Sequence, residues 1–112
     1  MKVTEREAVR TVGFLLARKE ARCQRVLART RAGVNVNPGD AQACAWCLWG
    51  AILLVAARLH IRRERLYLLV ARVLGLVERR GEFNAEAHLY EEWDSFSESQ
   101  ADACVRLLQV AA

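Results

Sequence analysis

The sequence predicts an all-α protein: a compact bundle of four main helices around a central helix 2, forming a single domain over residues 1–112. Three observations point there. Ala43 to Ala57 runs without one charged or strongly polar side chain. A helix that is apolar all round must be covered on every side, which places it at the centre. Thr4-Glu5-Arg6-Glu7 and Ser97-Glu98-Ser99-Gln100 both have the spacing of a capping box. And no segment shows a convincing strand pattern, although Val34 to Val36 could be extended.

The first helix is expected to start at Thr4 and run to about Thr30. Val9, Val12, Leu16, Cys23 and Leu27 share one face at helical spacing. Ala32 to Asp40 is a loop, since Gly, Asn and Pro break regular structure. Asp40 then caps helix 2, over about Ala41 to Leu59. His60 to Glu64 forms a basic connection. Helix 3 follows over about Glu64 to Arg80, with Leu66, Leu69, Val70, Val73, Leu74 and Val77 inward and Gly81 as its C-cap. A short helix is expected around Ala85 to Trp93. Ser97 opens the last helix, with Ala101, Cys104, Val105, Leu107 and Leu108 inward.

Composition narrows the class. Hydrophobic residues make up 54% of the chain and Pro occurs once, which argues against disorder. The apolar run is shorter than the roughly 20 residues of a membrane span, and no signal peptide pattern opens the sequence. The expectation is a cytoplasmic chain with reduced cysteines and no membrane association. Charge is unevenly placed. Residues 1–80 carry sixteen Lys or Arg against six acids, and residues 81–112 carry one Arg against seven acids. Such asymmetry permits docking of the acidic end on the basic body, head-to-tail pairing of two copies, or an anionic partner.

Two constellations carry candidate chemistry. Arg18, Arg22, Arg25 and Arg29 recur at helical spacing, opposite Val12, Leu16 and Cys23. Arg31, Arg58, Arg62, Arg63 and Arg65 would enlarge this stripe if helix 2 returned nearby. Guanidinium groups bind phosphates and carboxylates bidentately, so the stripe suits nucleic acid or an acidic protein surface, or is simply a solvated face. Phe14 falls beside it. Cys44-x-x-Cys47, with Cys23 and Cys104, offers four thiols. A structural zinc site normally needs two such close pairs, and a redox dithiol normally sits beside a βαβ unit. Placed in helices among Ala, Trp and Leu, these cysteines read as small core hydrophobes. His60 and His88 are isolated, and the acids around Trp93 read as a solvated turn. No cofactor, metal or catalytic group is expected.

The chain resembles a family of small uncharacterised bacterial and phage-encoded proteins. The resemblance covers about residues 15–111. It rests on Cys23-Gln24, Ala28-Arg29, Gly33, Asp40, Ala43, Trp46-Cys47-x-x-Gly50-Ala51, Trp93-Asp94, Ala101-Asp102, Val105 and Leu107-Leu108. The family pattern has Trp at position 22, Gly at 25 and Asn at 94. It implies a phage or mobile-element context, with no activity attached.

The shared residues have structural readings. Gly50 and Ala51 would let another helix approach closely. Trp46 and Trp93 would stack, and Cys23 and Cys47 would meet where helices 1 and 2 cross. Replacing Trp46 by Ala is expected to cost about 3 kcal/mol or more. The functional expectation is a non-catalytic protein acting through a protein–protein interface, homodimerisation included. The alternatives are nucleic-acid binding through the arginine stripe, marked by steep salt dependence, and a Cys-based zinc or redox module.

Overall fold

A computed structural model describes residues 1–76 and 85–112, with side chains for 1–76 and 89–112. It corrects the fold class. Five helices are joined by a three-stranded antiparallel sheet, so the protein is not all-α. Helix α1 spans Val3–Leu15, and a 3₁₀ turn follows at Lys19–Ala21. Strands β1 (Ala28–Thr30), β2 (Asn35–Val36) and β3 (Ala43–Trp46) come next. Helices α2 (Leu48–Leu59), α3 (Arg63–Val73), α4 (Ala85–Ser95) and α5 (Glu98–Gln109) complete the described chain.

The first error in the helical reading lies after Leu16. The apolar spacing continues to Leu27, but the backbone leaves the helix and Arg25 adopts a left-handed φ of 69°. A single such residue ends helical continuity. The chain then forms a hairpin. Ala28 pairs with Val36 and Arg29 with Asn35. Gly33, at φ 84°, makes the reversal, donating its N–H to Thr30, whose own N–H bonds the Val34 carbonyl.

The second error lies at Asp40. Its carboxylate accepts from the Gln42 N–H at 2.8 Å, a turn that feeds β3 rather than a helix. Ala43–Trp46 is therefore a strand, paired to β1 on one edge. On its other edge the Cys23 N–H bonds the Trp46 carbonyl. A short apolar run does not itself tell strand from helix. Cys47 is the true N-cap of α2, its Sγ accepting from the Gly50 N–H at 3.2 Å.

Elsewhere the boundaries shift less. Glu5, not Glu7, reaches back to the helix start, its carboxylate accepting from the Lys2 N–H. The Ser97–Gln100 capping box forms in both directions. Helix α3 stops at Val73, short of the expected Arg80. Gly75 at φ 69° and the Leu76 N–H on the Ala71 carbonyl close it as a Schellman motif. The expected C-cap Gly81, the inward Val77 and the side chain of His88 lie outside the described residues.

The core gathers Val9 and Val12 of α1 and its C-cap Leu16 with Leu48, Ile52 and Val55 of α2. Leu66 and Val70 of α3, Leu89 and Trp93 of α4, and Val105 and Leu108 of α5 join the same cluster. Helix α2 packs against α1, α3 and α4, as its apolar stretch from Leu48 to Ala57 requires; Arg58, in the last turn, is exposed. Helices α1 and α5 run antiparallel. Arg10 Nε donates to the Ala111 carbonyl at one end and Gln109 Nε2 to the Gly13 carbonyl further along. Leu107, expected inward, is exposed.

Candidate functional site

The four arginines of the expected stripe do not share a helix face. Arg18 precedes the 3₁₀ turn, Arg22 and Arg25 lie in the extended segment after it, and Arg29 is in β1. Each meets a different environment. Arg22 is consumed internally. It donates to the Leu16 carbonyl at 2.7 Å, to the Ala17 carbonyl at 3.1 Å and to Asp102 at 2.5 Å. Only 10% of its side chain is exposed. The guanidinium holds the Asp102 carboxyl below the usual carboxylate range.

Arg25 contributes backbone. Its N–H bonds Asp94 Oδ1 at 2.8 Å. This is one strand of a latch that also uses Cys23, Gln24 and Trp93. Trp93 Nε1 donates to the Cys23 carbonyl at 2.7 Å. Gln24 Nε2 donates to the carbonyls of Trp93 at 2.8 Å and Phe96 at 2.9 Å. Lys19 pairs with Glu98 at 2.8 Å. The acidic C-terminal segment therefore docks on residues 19–25 of its own chain. A cleft of about 250 Å³ along this seam is lined by Lys19, Gln24, Trp93, Phe96 and Glu98 among others.

The tryptophan pairing differs from expectation. Trp93 is buried and sits edge-on to Phe96, with ring centroids 6.1 Å apart. Trp46 is half-buried and donates its indole N–H to the Pro38 carbonyl at 3.0 Å. Gly50 does sit at a close approach, but its neighbour is the backbone of Leu27 rather than another helix. A Cβ there would lie 1.9 Å from the Leu27 oxygen. Ala51 is fully buried beside it.

The strand also separates the two cysteines of Cys44-x-x-Cys47. Positions three apart on an extended chain point to opposite faces. Cys44 is exposed, while Cys23, Cys47 and Cys104 are buried. Burial pushes the Cys23 thiol up to about 11 and the Cys104 thiol up to about 12. Burial raises the Cys47 thiol too, against the N–H bonds that its sulfur accepts at the helix start. Cys23 and Cys47 are neighbours across the β3 edge, not at a helix crossing. Among the described residues no three His, Cys, Asp or Glu side chains converge as a metal site requires.

A second concavity, of about 380 Å³, lies over the start of β3. Arg18, Glu20, Arg29, Thr30, Arg31 and Cys44 contribute to its lining. Arg58, Arg62 and Arg63 do not extend it. Arg58 sits in the last turn of α2, about 15 Å from the end of β3 given the helical rise, and Arg62 and Arg63 come after that helix. Arg65 instead holds Glu5, Nε to Oε2, at 2.7 Å.

Large apolar side chains are exposed where α1 and α5 pair: Phe14 at 61% on α1, Leu107 at 50% on α5 and Val110 at 72% at the C-cap of α5, while Val3 is exposed at the far end of α1. Gly13 allows the close packing here, since a Cβ on it would come 2.8 Å from the Gln109 backbone nitrogen. Phe14 and Val110 each directly follow one member of that contact.

No helix among the described residues is long and apolar enough to cross a membrane. The chain matches no protein-family model, no curated protein and no solved structure. Its class is that of a small mixed α/β domain with a helical core and one short sheet.

Proposed function

We propose that this protein acts without catalysis or cofactor, in the cytoplasm, by binding another protein through the outer face of α1 and α5. The exposure of Phe14, Leu107 and Val110 on two tightly packed helices carries the reading. Apolar side chains clustered on a rigid surface stabilise an interface by leaving water on association. A second copy of this chain is the partner to test first. An isologous dimer, in which each copy presents the same patch, is the simplest assembly such exposed residues would serve. The resemblance to small phage and bacterial proteins supports a mobile-element context for such a binder.

The nucleic-acid reading loses its helical stripe, because Arg22 is spent on Asp102 and on two carbonyls. The zinc and redox readings lose their close pair, because Cys44 and Cys47 sit on different faces.

Sedimentation equilibrium over roughly 1–100 µM, the range of weak homodimers, tests the proposal. Reversible dimerisation abolished by Phe14→Ser with Val110→Ser supports it. A chain that stays monomeric throughout, or a dimer untouched by the double variant, removes this face as the self-interface.

A further inference from the structure

We propose that the concavity over β3 is a binding site for a phosphate monoester, held between Arg18 on one wall and Arg29 and Arg31 on the other. Its construction follows from the strand pairing. The floor is the start of β3, at Cys44 and Ala45. One wall comes from the segment bonded to one edge of β3, where the Cys23 N–H meets the Trp46 carbonyl at 3.0 Å. The other wall is the end of β1, paired to the opposite edge. Arginines therefore face one space from two sides, the arrangement that grips an anion.

The register adds a local device. Arg29 pairs with Ala45 and Thr30 with Ala43, so Cys44 is the extra residue of a bulge. Bulges re-aim side chains and recur beside functional sites. Here the bulged strand is β3, and Arg29, Thr30 and Arg31 opposite the bulge all border the same concavity.

The charges there are not neutralised from within. Among the described residues, the guanidinium groups of Arg18 and Arg31 have no hydrogen-bond or ion-pair partner. Arg29 has only a 3.5 Å bond to the Gln24 carbonyl, at the limit of a useful contact. Glu20 is the single carboxylate at the rim. Arg22 also borders the space, but Asp102 already balances it. Thr30 Oγ1 accepts from the Val34 N–H at 3.1 Å and keeps its own proton as a donor. Three guanidiniums against one carboxylate favour a dianion over a monoanion. The size of about 380 Å³ suits one phosphate group with part of what carries it, not a length of duplex.

Cys44 supplies the readout, because it lies on the floor and is the exposed thiol of the four. The rate at which uncharged iodoacetamide alkylates it is measured at fixed pH and ionic strength, against added inorganic phosphate, a nucleoside monophosphate, and a single-stranded octanucleotide with or without a 5′-phosphate. Saturable protection by inorganic phosphate, but not by chloride at equal ionic strength, is the expected result. Arg18→Gln, Arg29→Gln and Arg31→Gln should each weaken protection roughly tenfold, about the weight of one charge-assisted contact. Arg18 and Arg31 are exposed, so these two variants keep the fold.

The oligonucleotide arms separate the sources. Protection only with the 5′-phosphate marks a nucleic-acid end as the carrier. Protection by inorganic phosphate and the monophosphate alone marks a small ligand. Equal protection by both oligonucleotides with none by inorganic phosphate overturns the monoester in favour of a diester backbone. Unchanged alkylation under all four additions, or protection retained in the triple Gln variant, overturns the site.

Discussion

Replacing Gly50 by Ala should destabilise the protein, although Ala is the better helix former. Gly50 lies in the first turn of α2, where Ala would gain about 1 kcal/mol of intrinsic helix propensity. Against this stands the carbonyl oxygen of Leu27. An added Cβ would sit 1.9 Å from it and 2.8 Å from its carbon. Both are backbone atoms, so no side-chain rotation relieves the clash. The segment before β1 would have to retreat by more than 1 Å to restore ordinary contact. Overpacking of this kind costs about 1–3 kcal/mol. The retreat also stretches the bond from the Cys47 N–H to the same Leu27 oxygen, already 3.2 Å, whose loss costs about 1 kcal/mol. The net is a destabilisation of about 1–3 kcal/mol, or about 5–15 °C in Tm for a domain of this size. Urea and thermal unfolding followed by tryptophan fluorescence would read it. Gly39→Ala is the control, since a Cβ there meets nothing within 4 Å. Equal or greater stability of Gly50→Ala would refute the close approach of Leu27 and the strand placement that produces it.

Three further predictions follow from single environments. Arg25→Val should cost more than about 1 kcal/mol, because a β-branched residue is strained at φ 69°, whereas Arg25→Gly should stay within about 0.5 kcal/mol of wild type; equal losses in denaturant midpoints would argue against the left-handed turn. In the native protein an excess of a thiol reagent should modify one cysteine quickly and three only on unfolding, and peptide mapping should place the label on Cys44; fast labelling of Cys47 would contradict its burial as the cap of α2. Glu5 is held down to about 2, from the usual 4.5, chiefly by its hydrogen bond from Arg65 and next by the Lys2 N–H. Its folded value lies below its unfolded one. Its contribution is therefore complete above about 4.5 and is lost as pH falls toward 2. Glu5→Gln should thus be less stable than wild type at neutral pH, with the gap closing through that window; a gap independent of pH would assign the loss to packing instead.

The parts of the fold that were legible in the sequence are those where one local rule decides. Ser97 and Gln100 satisfy each other's backbone donors with little help from elsewhere, so the start of α5 could be placed in advance. The burial of α2 follows from its apolar run, Leu48 to Ala56, and lapses at its end, where Arg58 is exposed. What sequence periodicity missed has a common cause. Ala43 to Trp46 is apolar and only four residues long, and its strand state is imposed by partners 13–18 residues earlier in the chain. The spacing of Cys23 and Leu27 continues the α1 pattern, yet both sit in a segment bent to reach β3 and α4. A signal was present at position 25, where the resembling family has Gly, because the left-handed φ is where Gly is favoured.

The same bend explains why the arginine stripe was misplaced while its charge was not. On a continuous helix, Arg18, Arg22, Arg25 and Arg29 would form one exposed face. Once the chain leaves the helix, the acidic segment divides them. Asp102 and Asp94 draw in Arg22 and the backbone of Arg25, and Glu98 draws in the neighbouring Lys19. The acids sit at four-residue intervals, a pattern visible in the sequence, and they meet basic residues spaced by three. This intramolecular pairing sets which cations remain for a ligand. Arg18 and Arg29 are left bordering the concavity over β3, and the hairpin brings Arg31 to them. The docking of the C-terminal segment and the basic concavity are thus two faces of one arrangement. A variant that breaks the latch, such as Gln24→Ala, which removes the amide bonded to the Trp93 and Phe96 carbonyls, should loosen the wall carrying Arg18. It should weaken phosphate protection of Cys44 without touching any side chain that lines the concavity.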